Sequence, residues 1–173
     1  MKKGIVIAVL AISMVSCGML QNGSQSSTQQ SAAATQQAAG TSAVSAGQGA
    51  GGALLNLYNQ YKADGNKYDY KNMQNVLNTV TLLTNCEGLK TNYKDTEYLK
   101  DFGKGMIASS LGLVTQNNVE TVTNSLVEMV KNSETVQTTA AQAQNTANTA
   151  ADYANTAAQY AGALGSILSM FGK

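Results

Sequence analysis

The groups in this 173-residue chain that could do chemistry are two cysteines, ten carboxylates and eleven basic residues. Histidine is absent. The usual general base near neutral pH and the commonest metal ligand are therefore missing, which excludes Ser-His-Asp, Cys-His and histidine-zinc sites. Every basic residue is Lys, so the planar fork suited to bidentate phosphate or carboxylate recognition is missing too. The carboxylates are Asp64, Asp69, Glu87, Asp95, Glu97, Asp101, Glu120, Glu128, Glu134 and Asp152. Two of them would make a glycosidase-type pair only if folding set them across one cleft. Glu97 with Lys100 and Asp101 with Lys104 have helix-neighbour spacing, which points to solvated faces. The stretch from Asp64 to Asp69 fails as a calcium loop, because Tyr68 stands at a ligand position and Asp69 where a glycine is required. The expectation is a non-catalytic protein with no cofactor and no metal; a carboxylate-dependent hydrolase is the weaker alternative.

The two cysteines call for different readings. Cys86 has Asn85 and Glu87 as neighbours and no adjacent base to lower its pKa, as expected of a buried structural thiol. Cys17 ends a leader: Lys2-Lys3, an apolar run from Ile5 to Ile12, then Ser13-Met14-Val15-Ser16. A basic start, a short apolar stretch and small residues before the end make a secretory signal. The run is too short to span a bilayer, which takes about 20 apolar residues. With Val15 and Ser16 before the cysteine, the segment resembles the lipobox of bacterial lipoproteins, although Met14 stands where Leu is usual. That resemblance implies cleavage before Cys17, a diacylglyceryl thioether on its sulfur and a further acyl chain, such as palmitate, on its new amino group. Such chains anchor durably at about 0.8 kcal/mol per buried CH₂. Gly18, rather than Asp, after the cysteine implies the outer membrane, and the lack of an acidic run favours the periplasmic face. An acylated Cys17 also leaves Cys86 no partner within the chain.

The formal charge is +1, and losing a leader that carries Lys2 and Lys3 lowers it to −1. A chain so near neutrality has no electrostatic footprint for nucleic acid. From Gly18 to Gly52 it has no charged residue and is almost entirely Gln, Ser, Thr, Ala and Gly. Such a segment buries too little to offset its ordering entropy, so residues 17–52 are expected to be the lipidated cysteine and a disordered tether. As a flexible coil it would reach about 30–35 Å.

Beyond the tether, residues 53–173 are expected to fold as an all-α bundle of four to five helices. Leu54, Leu55, Tyr58 and Tyr61 suggest a first helix ending near Asp64-Gly65. Met73, Val76, Leu77, Val80 and Leu83 or Thr84 trace one face of a second, from Tyr70 to about Glu87, capped by Asp69 and stopped by Gly88. A third starts after Asp95-Thr96 and carries Tyr98, Leu99, Phe102, Met106 and Ile107; Gly103, Gly105 and Gly112 weaken it, and it ends near Leu113.

The last third repeats itself: Ala147–Tyr153 reads Ala-Asn-Thr-Ala-Ala-Asp-Tyr, and Ala154–Tyr160 reads Ala-Asn-Thr-Ala-Ala-Gln-Tyr. Seven residues is the coiled-coil period. The seam extends back through Val136, Met129, Leu126 and Val122 to Val119, and forward through Ala161, Leu164 and Leu168 to Phe171, with Ser133 its polar interruption. This predicts either one long helix or two with a break near Asn132-Ser133. The Ala-rich helix over 135–173 packs on its own domain, pairs with a second copy, or awaits a protein partner. Its candidate interaction surface is Ala147, Ala150, Tyr153, Ala154, Ala157, Tyr160 and Ala161. The heptads and the final Lys173 together resemble the murein lipoprotein of the outer membrane, which would imply a peptidoglycan link through Lys173. Phe171-Gly172 and the intervening domain depart from that pattern.

Overall fold

In a computed structural model the described residues are 42–133 and 150–172, and they form an all-α bundle. The helices are α1 (Ala43–Ala63), α2 (Met73–Asn92), α3 (Thr96–Ser109), α4 (Val119–Lys131) and α5 (Ala150–Ser169), the last followed by a 3₁₀ turn, Met170–Gly172. Helix α1 is the centre, packed chiefly on α3 and α2; α4 and α5 lie against α2. One core runs through the bundle, with Leu54, Leu57, Leu82, Leu89, Phe102, Met106, Leu126 and Leu164 fully buried. Residues 1–16, Cys17, Val136, Ala147 and Lys173 lie outside the described residues.

The first helix corrects the sequence reading of residues 43–52 as tether. Its cap is Ser42, whose Oγ accepts from Ser45 N at 3.2 Å, and ten residues of the Gly/Ala-rich stretch precede Ala53 within the helix. Gly47, Gly49, Gly51 and Gly52 each cost a helix about 1 kcal/mol relative to Ala. Tertiary contact outweighs that cost. A Cβ on Gly47 would lie 1.9 Å from the Phe102 carbonyl oxygen, and one on Gly105 would lie 2.1 Å from that of Val44. Thus α1 and α3 cross backbone to backbone, and a glycine is needed on each side. Gly105, read from sequence as a weak point of the third helix, is half of this contact.

Helix α2 begins three residues later than its pattern predicts. Asn72 is the cap, its Oδ1 accepting from Gln74 N at 2.9 Å, while the Asp69 carboxylate accepts from Lys71 N. The helix also runs through Gly88 to Asn92, and the Tyr98 hydroxyl occupies the space a Cβ on Gly88 would fill. More consequential is its orientation. Asn75, Val76, Asn78, Thr79, Leu82, Leu83, Cys86 and Leu89 are buried, whereas Met73 and Leu77, assigned from sequence to the core face, are 45% and 42% exposed. The polar residues can turn inward because local partners satisfy most of their groups. Thr79 Oγ1 donates to the Asn75 carbonyl at 2.7 Å, Asn75 Nδ2 donates to the Asp69 carbonyl at 2.9 Å, and Tyr68 shares a hydroxyl–hydroxyl bond with Thr79.

Helix α3 starts where the sequence indicates, with Asp95 Oδ1 accepting from Glu97 N and Tyr98 N at 3.0 and 3.1 Å. It ends at Ser109, short of Leu113, as the chain turns through left-handed Leu111 and Gly112, at φ 49° and 85°. Helix α4 stops at Lys131, which places a break at Asn132-Ser133. In α5, Gly162 has open space where a Cβ would go. Gly162→Ala should therefore stabilise the fold by about 0.5–1 kcal/mol, read as a higher urea midpoint at unchanged slope.

Candidate functional site

The Ala/Tyr repeat is the stretch to which sequence gives an interaction role, and it meets the rest of its own chain. Along α5, Tyr153, Thr156, Ala157, Tyr160, Leu164, Ile167 and Leu168 are buried at the 3–4 residue spacing of one helix face. The N-terminal part packs Tyr153 and Ala157 on Val76, with Val80 alongside, in a cluster of its own. From Tyr160 onward the helix joins the main core. At the end of the chain Phe171 meets Tyr58 edge to face, centroids 5.9 Å apart, and the Tyr58 hydroxyl donates to the Phe171 carbonyl. Of the surface read from sequence, Tyr153, Ala157 and Tyr160 are thus inside the fold, Ala154 and Ala161 are half-buried, and Ala150 is exposed. The α4 half of the seam also turns inward, with Val122, Leu126, Met129 and Ser133 buried.

The carboxylates are spread among local partners. Asp64 accepts from the Gln60 amide at 3.0 and 3.1 Å, Asp101 pairs with Lys104 at 2.7 Å, and Glu128 pairs with Lys131 at 3.3 Å. Asp69 and Asp95 cap backbone N–H groups. The ion pair with Asp101 holds the Lys104 ammonium above its ordinary pKa. Both pairs are between exposed neighbours on one helix and add little stability. Among the described residues no three of His, Cys, Asp and Glu gather closely enough to hold a metal.

Cys86 is fully buried in the core, and desolvation pushes its thiol far above the usual range. Burial, with a smaller contribution from Cys86, also raises the Tyr98 phenol. A thiol so placed stays protonated and has no path to reagents. Cys86 should resist alkylation in the native protein and react fully once urea unfolds it, as intact mass would show; rapid native labelling would contradict the buried placement.

One surface feature went unread in the sequence, though its residues were noticed. Met73 and Leu77 are one helical turn apart on the outward face of α2, next to half-buried Val80, and Tyr70 stands just before them at 38% exposed. Of the apolar stripe that periodicity marks on α2, the fold turns Val76 and Leu83 inward and leaves Met73 and Leu77 facing out. At the opposite end of α2, the Lys94 and Lys131 ammonium groups lie over the Tyr93 ring, 5.5 and 4.6 Å from its centroid. Lys90 Nζ donates to the Ser133 carbonyl at 3.0 Å, fastening the end of α4 to the end of α2.

No helix among the described residues is long and apolar enough to cross a membrane. No protein-family model matches the chain, and neither a curated protein nor a solved structure matches it.

Proposed function

We infer that the chain is a lipid-anchored, non-catalytic lipoprotein of the bacterial envelope, held to the outer membrane through Cys17 and facing the periplasm. The observation that carries this reading is the leader: Lys2-Lys3, an apolar run and small residues ending on Cys17. It is supported by the distance along the chain: 24 residues lie between the cysteine and Ser42, the cap of the first helix. That length lets a bundle stand clear of the headgroups while staying close to them. The bundle then works structurally or by contact with other envelope components.

The test is fractionation with intact mass. The wild-type protein should sediment with membranes and carry two or three acyl chains on a mature N-terminal Cys17. Cys17→Ser should abolish both acylation and cleavage before residue 17, so the variant keeps its leader. An unmodified Cys17, or a mature chain beginning beyond it, would overturn the reading.

A further inference from the structure

The outward stripe of α2 is explained by neither the core nor the anchor. We propose that Tyr70, Met73 and Leu77, with the lysines of the α1–α2 turn, form the face by which the anchored bundle rests on its own membrane. This rests on the lipid anchor proposed above. The three side chains are 38%, 45% and 42% exposed, so the area they offer is small. A freely diffusing protein partner needs about 800 Å² on each side, far more than three half-covered side chains supply. A surface to which the chain is already tied needs much less, because a covalent tie makes the second contact intramolecular and raises its effective concentration.

The composition of the face also fits a bilayer interface. Tyr70 combines an apolar ring with a hydroxyl, the arrangement favoured where hydrocarbon meets headgroups. Lys67 and Lys71 flank it in the turn and Lys62 lies in the last turn of α1; all three are exposed, and among the described residues none is in an ion pair. The carboxylates of this turn are Asp64 and Asp69, occupied by the Gln60 amide and the Lys71 N–H, so the turn carries one net positive charge. Long lysine stems can lie along the acyl boundary while their ammonium groups reach anionic phosphates.

The tether permits the pose. Ser42 and the Lys67–Lys71 turn lie at opposite ends of α1, whose 21 residues span about 31 Å. The 24 residues from Cys17 to Ser42 can extend to about 80 Å, so the bundle can lie on its side with the outer face of α2 against lipid.

An environment-sensitive fluorophore on Leu77→Cys of the full acylated chain tests this. Acylated Cys17 is blocked and Cys86 is buried, so the new thiol alone is labelled. Lys71→Cys, at an exposed turn position outside the helix, repeats the test independently of any disturbance of α2, and Glu120→Cys on α4 is the reference. In vesicles of three parts phosphatidylethanolamine to one part phosphatidylglycerol, the labels at 77 and 71 should shift to the blue relative to detergent. The label at 120 should not, and Met73→Asp should abolish the shift at 71. A chain that floats with the vesicles while residues 77 and 71 stay water-like, or while all three positions shift alike, overturns the inference and leaves the anchor standing. A chain that does not float and has an unmodified Cys17 overturns the anchor reading, and this inference with it.

Discussion

Gly47→Ala should destabilise the bundle by about 3 kcal/mol, a large part of the 5–15 kcal/mol that holds a typical domain together. The methyl group would enter 1.9 Å from the Phe102 carbonyl oxygen and 2.8 Å from its carbon, and backbone cannot swing aside as a side chain can. Helices α1 and α3 must separate, and every core contact along the crossing loosens with them. Gly52→Ala is the matched control, since its Cβ would meet nothing within 4 Å. It should stabilise by about 0.5–1 kcal/mol through the lower entropy of the unfolded chain. Urea unfolding of both variants measures the contrast. Gly105→Ala should resemble Gly47→Ala, and the double variant should cost less than their sum, because one separation of the helices relieves both clashes. Strict additivity would mean that the two glycines do not share one crossing.

Ala157→Glu should be comparably damaging. Ala157 is fully buried against Val76 and Tyr153, so the new carboxylate would enter the α2–α5 interface without a cation to pair with. An uncompensated buried charge costs about 3–5 kcal/mol. The neighbouring Ala158 is exposed, and Ala158→Glu should change stability by no more than about 0.5 kcal/mol. Thermal unfolding compares the two, and limited proteolysis shows whether α5 has left the bundle in the first. If both substitutions were tolerated, α5 would not be held to α2 through this face. If Ala157→Glu shifted a dimer to a well-folded monomer, the seam would serve a second copy in place of its own core.

The helical class of the fold was legible from residue types and spacing. Asp95 before Thr96 marked the start of α3, because a carboxylate at that place satisfies the first free N–H groups of a helix whatever surrounds it. The inward face of α5 was legible in part, since Tyr153, Tyr160, Leu164 and Leu168 recur at spacings that only a helix brings to one side. The candidate anchor at Cys17 rests on sequence alone, in a leader whose meaning depends on order and hydrophobicity rather than on tertiary contact.

Three features depended on the tertiary structure, each for a physical reason. Residues 43–52 read as a tether because Gly and small polar residues disfavour isolated helices; that α3 offers a surface close enough to need Gly47 is a property of the pair. Gly88 read as a stop for α2, yet the helix passes through it, and the glycine there makes room for Tyr98, a residue of α3. The fold divides the apolar stripe of the second helix, burying Val76 and Leu83 and exposing Met73 and Leu77, a division that periodicity alone could not place. The fold buries the side with Asn75 and Thr79, whose Nδ2 and Oγ1 donate to nearby carbonyls, and leaves Met73 and Leu77 facing out. Sequence determined the all-α class and the start of α3. Packing decided where the first helix begins and which apolar residues are left on the surface, because both follow from the fit between helices that no single segment encodes.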